Sequence, residues 1–76
     1  MMSEAVNYCS VMKQIFVENT LAAVLRVIDE RIESVEYEAT ELQEYVIIKF
    51  SGGGTKRVCI TGDSLSAVAK DVLKIF

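Results

Sequence analysis

Histidine, proline and tryptophan are missing altogether from this chain of 76 residues. Without histidine no side chain titrates near pH 7 unaided, so ordinary general-base catalysis lacks its usual agent. Cysteine is nearly as scarce. Cys9 and Cys59 stand far apart in sequence, and two cysteines without histidine do not make a structural zinc site. No metal, no cofactor and no catalytic residue is expected. Proline is absent and the only glycine cluster is Gly52, Gly53 and Gly54, so no linker appears and residues 1–76 read as one domain.

Long apolar runs are lacking too. The longest uncharged run, Ala5 to Met12, is eight residues, against the roughly 20 a membrane helix needs. The opening MMSEAVNYCS has neither a basic start nor a long apolar core, so no signal peptide is expected. Together these point to the cytoplasm, where both cysteines stay reduced; a Cys9–Cys59 bridge is the alternative in an oxidising setting.

What is present is apolar. Hydrophobic residues make up 51% of the chain, enough for a real core, or for one shared with a second copy. Net charge is −3, unevenly spread: residues 1–48 hold nine acids and three bases, residues 49–76 two acids and five bases. Asp29, Glu30, Glu33, Glu36, Glu38, Glu41 and Glu44 form an acidic ridge broken only by Arg31. Such a ridge is either a solvated face or a contact for a basic surface.

The stretch from Glu44 to Thr61 organises the rest. EYVIIKF and KRVCIT read as strands around the loop Ser51-Gly52-Gly53-Gly54-Thr55. Glycine permits the positive φ that a tight reversal needs. A phosphate cradle would instead lead into a helix N-terminus, and these glycines lead into a strand. Five loop residues would pair Phe50 with Lys56, Ile48 with Val58 and Val46 with Ile60, all on one face. Ser34 to Thr40 alternates as a half-buried strand, with Val35, Tyr37 and Ala39 on one side. A turn at 41–44 would set Tyr37 opposite Ile48, Val35 opposite Phe50 and Glu36 opposite Lys49.

Helices are expected on either side. Val6, Cys9, Met12 and Phe16 recur at helical spacing, as do Tyr8, Val11, Met12 and Ile15, so residues 3–18 read as a helical segment. Ile15-Phe16-Val17 also suits a short strand or an irregular break. Glu18-Asn19-Thr20 reads as a boundary capped by Asn or Thr. Beyond it Leu21, Val24, Leu25, Ile28 and Ile32 predict one buried face. A single helix over 4–31 would span about 42 Å, too long for so small a domain to cover, and would imply a dimer. At the other end Asp63 reads as an N-cap, followed by an apolar face of Leu65, Val68, Ala69, Val72, Leu73 and Phe76.

The predicted fold is α+β: a three-stranded antiparallel meander with strand 45–50 central, helices on one face, order α-(α)-β-β-β-α. The other sheet face would hold Glu36, Glu38, Thr40, Tyr45, Ile47, Lys49, Arg57, Cys59 and Thr61. Tyr45 and Ile47 are candidate anchors of a contact surface there, with Lys49 and Arg57 at its rim and Cys59 between. That surface would take a second copy or another protein, or be covered by the N-terminal segment. Cys59 reads as a small apolar side chain rather than a nucleophile.

Two resemblances bear on this reading. At ITGDSLSAVAKDVLKIF the chain resembles the C-terminal ends of small uncharacterised proteins from prophages and mobile elements of Gram-positive bacteria. These also run from a strand through an Asp-Ser step into a helix with a Lys-Asp-Val-Leu-like run; the likeness implies no particular activity. The order α-β-β-β-α resembles the double-stranded-RNA-binding domain, which would imply reading duplex RNA by shape and phosphate contacts. That family starts its last helix with lysines. Here the matching positions are Asp63, Ser64, Leu65 and Ser66, with Lys70 further on, so nucleic acid is not the expected partner.

Overall fold

Val17, Leu21 and Leu25 repeat at the spacing that buries one side of a helix, and the chain does wind a helix there. The computed structural model describes residues 11–76. Helix α1 (11–28) leads to strands β1 (Ile32–Ala39), β2 (Glu44–Phe50) and β3 (Thr55–Cys59), then helix α2 (Leu65–Leu73). The strands form one antiparallel sheet in the order β1-β2-β3. This is the α+β arrangement the sequence predicts, with β2 in the centre. The earlier part of the expected N-terminal helix, including Val6, Tyr8 and Cys9, lies outside the described residues.

No boundary forms at Glu18-Asn19-Thr20. The helix runs through, and the irregularity is a π-helical turn, Phe16–Leu21, in which the Ala22 N–H reaches back to the Val17 carbonyl. Asn19 does not cap. Its side-chain amide donates to the Ile15 carbonyl at 3.0 Å. A π turn holds one extra residue, which rotates everything after it by about 100° relative to a continuous α-helix. That rotation explains a second departure. Val17, Leu21, Ala22 and Leu25 are buried, but Val24 and Ile28 are about half exposed. Asp29 then ends α1, accepting bonds from the Arg31 backbone N–H and from its Nε and Nη2 at 2.8–3.0 Å. The Arg31 side chain draws the Asp29 carboxyl down to about 2.

Both strand registers sit two residues from the expected ones. Val46 faces Val58 and Ile48 faces Lys56, where the expected partners are Ile60 and Val58 respectively. The reversal is tighter than a five-residue loop from 51 allows. Phe50 already donates to the Gly54 carbonyl at 2.8 Å, and the Gly53 N–H turns back to Phe50 at 2.9 Å. Gly53 adopts a φ of 96°, which a side chain rarely tolerates. On the other side Tyr37 faces Val46 and Val35 faces Ile48, with a bulge near Glu33. The turn is 40–43, closed by the Thr40 N–H to the Gln43 carbonyl at 2.8 Å and the Gln43 N–H to Thr40 Oγ1 at 3.1 Å. A slip of two keeps every side chain on its expected face. The inner face is therefore as foreseen: Val35, Val46, Ile48 and Ile60 are buried, and Tyr37, Phe50 and Val58 are half-buried against them.

Both helices cover that inner face. Val17, Leu21, Ala22 and Leu25 from α1 and Val68 and Val72 from α2 complete the core. The described part of the N-terminal segment thus packs inside and does not cover the outer sheet face. Ser64, not Asp63, caps α2: its Oγ accepts from the Ala67 N–H at 3.3 Å. Only Val68 and Val72 of the α2 stripe are fully buried, while Leu65, Leu73 and Phe76 stay partly exposed.

One polar hub ties these elements together. The Glu44 carboxylate takes Lys13 Nζ of α1 at 2.7 Å, the Tyr37 hydroxyl of β1, and the Gly62 N–H at 3.3 Å. The Lys13 and Glu44 side chains are only 12% and 18% exposed. Burial pushes the Glu44 carboxyl up, but the bonds from Lys13, Tyr37 and Gly62 outweigh it and leave the group below its ordinary value.

Candidate interaction surface

The outer face of the sheet collects all five residues singled out from sequence: Tyr45, Ile47, Lys49, Arg57 and Cys59. Alternation along β2 puts Tyr45, Ile47 and Lys49 on one side, and pairing with β3 brings Arg57 beside Ile47 and Cys59 beside Tyr45. The two-residue slip changes their neighbours. The rows read Glu36–Ile47–Arg57 and Glu38–Tyr45–Cys59, with Lys49 between Ser34 and Thr55. Glu36 and Lys49 are diagonal rather than opposite, and still pair at 3.4 Å.

The face is a lattice of short polar links over two large side chains. The Arg57 guanidinium lies over the Tyr45 ring at 4.4 Å and pairs with Glu38 at 3.1 Å. The Tyr45 hydroxyl donates to Gln43 Oε1. Tyr45 and Ile47 are half-buried with no element among the described residues laid over them; around them Glu38, Lys49 and Arg57 are exposed and Glu36 is half-buried. Each exposed ion pair contributes little by itself, about 0–1 kcal/mol, so these links orient the surface more than they hold the fold. Glu38 and Gln43 belong to the site through their bonds to Arg57 and Tyr45. Sequence alternation had placed Glu38 on this face without its partner, because the partner depends on the register.

Cys59 is a free, exposed thiol at the edge strand. Its Sγ lies 3.4 Å from Thr61 Oγ1. Hydrogen bonds from the Thr61 side chain and backbone draw the thiol below its ordinary pKa, against slight burial and the nearby Asp63 charge. Among the described residues its hydrogen-bond partner is Thr61. Among the described residues no group of three His, Cys, Asp or Glu side chains is placed to hold a metal ion.

The glycine hairpin lines an open hollow of about 530 Å³ with Asp29, Arg31, Phe50, Lys56, Ile75 and Phe76. Arg31 is tied to Asp29 and sits over Phe50 at 5.9 Å, and Lys56 sits over Phe76 at the same distance. The cations rest on ring faces, so these two cation–ring pairs form part of the hollow's wall at this end of the sheet. No helix among the described residues is long and apolar enough to cross a membrane.

What the sequence signals did not reveal is a second uncovered surface, on α1. Val11, Met12, Ile15, Val24 and Val27 are all exposed. The Tyr8, Val11, Met12, Ile15 spacing signalled its first half; its second half is hidden by the π turn. Comparison with protein-family models, with curated proteins and with solved structures finds no match for this chain.

Proposed function

We propose that this is a small, non-catalytic, cytoplasmic interaction protein that works as a pair of copies and holds another protein against its outer sheet face. The observation that carries this reading is the bare face itself. Tyr45 and Ile47 are half-buried with nothing among the described residues laid over them, inside a frame of Glu36, Glu38, Lys49 and Arg57. An aromatic and an aliphatic anchor ringed by charges of both signs is the make-up of a protein contact. The C-terminal likeness to prophage and mobile-element proteins is compatible with such a role. Duplex RNA is the less favoured partner, since Asp63, Ser64, Leu65 and Ser66 stand where phosphate-binding lysines would be needed.

The test is capture from a lysate of the source organism, with wild-type chain and a Tyr45→Ala, Ile47→Glu double variant as bait. A protein retained by the wild type and released by the variant supports the reading. Equal retention by both, or a gel shift with duplex RNA at low salt, contradicts it.

A further inference from the structure

The outward side of α1 carries no charge along its described length. Val11, Met12 and Ile15 lie at one end, Ala23, Val24 and Val27 at the other, and Asn19 and Thr20 in the middle, all exposed. Val27 is 87% exposed, far more than a valine needs to be on a helix whose other side already supplies the core. The charged residues of α1 lie beside this line: Arg26, though exposed, donates to the Glu33 carbonyl at 3.2 Å. Lys13 turns inward to Glu44 at 2.7 Å, and Glu18 turns to the β1 edge, taking the Tyr37 N–H at 3.0 Å. The two apolar ends share one line only because of the π turn between them. In an unbroken α-helix the second end would be rotated away by about 100°. π turns recur at functional sites, and this one lies at the centre of the stripe.

We infer that this stripe is where two copies of the chain pair, α1 against α1, about Asn19 and Thr20. The inference deepens the pairing proposed above and rests on it. Three features select a second copy over another occupant. Read from either end the stripe runs apolar, polar, apolar, so it is complementary to itself, as a two-fold contact requires. It is uncharged, so two acidic chains can meet there without setting like charges together. The free edge of β3, by contrast, would set Lys56 and Arg57 against their own copies. Finally, the stripe exposes on the order of 400 Å² of apolar surface, a size that marks a contact site on a monomer. Doubled, its apolar part is about 800 Å², below the roughly 1,200 Å² of a stable interface, so the pairing is weak and concentration-dependent.

Sedimentation equilibrium of the full chain over about 1 μM to 1 mM, the span of weak affinities, reads this directly. The wild type should move from 8.5 kDa toward twice that mass. Val27→Glu and Ile15→Glu should stay at the monomer mass while melting as the wild type does; Val27 touches too little to disturb the fold. Tyr45→Ala should still pair. In a Cys9→Ser, Cys59→Ser background, Thr20→Cys should oxidise to a linked dimer and Lys49→Cys should not. Pairing that survives both α1 variants but is lost in Ile47→Glu overturns the inference and leaves paired copies standing. A wild type that stays monomeric throughout overturns both.

Discussion

At the scale of single residues, Glu44 joins three parts of the fold and is hard to pick out in the sequence. It looked like the last member of a solvated acidic ridge. Its role comes from three elements converging on it, from Lys13, Tyr37 and Gly62, and no local pattern encodes that. Lys13→Met should lower the unfolding free energy by about 1–3 kcal/mol, because it leaves a partly buried carboxylate short of its charged donor; urea titration measures this. The pH dependence has two parts of opposite sign. Glu44 is held below its ordinary value, so its contribution is present above the unfolded carboxyl pKa and fades as pH falls through the lowered folded value. Asp63 is pushed up by the Asp71 carboxyl beside it and by burial, and its Oδ2 is buried without a hydrogen-bond partner. Its contribution is present in acid and is lost as pH rises through the raised value. Asp63→Asn should therefore raise the Tm at pH 7 and leave it unchanged at pH 3, while Glu44→Gln should lower it at pH 7. At Cys59, Thr61→Val removes the side-chain hydrogen bond that favours the thiolate, so alkylation by iodoacetamide at pH 7.5 should slow.

At the scale of elements, the faces were legible and the pairings were not. Side-chain alternation identified Val35, Val46, Ile48 and Ile60 as inward and Tyr45, Ile47, Arg57 and Cys59 as outward. Two candidate registers differing by two residues satisfy that alternation equally, and loop geometry decided between them. With three glycines the chain reverses earlier than the count of non-strand letters suggested, and the last strand residues Phe50 and Thr55 lie closer to the turn. A cross-strand bridge tests this. In a chain with Cys9 and Cys59 replaced by serine, Ile47→Cys with Arg57→Cys should form a disulfide readily, because the two residues face each other. Lys49→Cys with Arg57→Cys, opposite each other in the rejected register, should not. The helices follow the same rule. Periodicity found the buried side of α1 through Leu21 and Leu25 but misassigned Val24 and Ile28, since a period of 3.6 cannot anticipate a π turn. For α2, Ser64→Ala should cost about 1 kcal/mol through loss of the N-cap, and Asp63→Ala should not act through capping; urea titration of both variants separates them.

At the scale of the whole molecule, the described residues leave two surfaces of different chemistry uncovered. The sheet face is an ionic lattice around Tyr45 and Ile47, and the α1 stripe is a plain apolar line. One layer of sheet and one of helices leaves each layer with a bare side, and this chain spends apolar residues on both. The sheet side was readable from sequence because alternation is local. The α1 side was not, because it depends on a helix that changes phase midway. In the proposal made above, the two surfaces do separate work, α1 for a second copy and the sheet for another protein. Amide chemical shifts recorded through a dilution series of the chain test it most directly. Movement confined to residues along Val11, Ile15, Thr20, Val24 and Val27, with Tyr45, Ile47, Arg57 and Cys59 unmoved, is the predicted result. Movement centred on Tyr45 and Ile47, or none at any concentration, would contradict it.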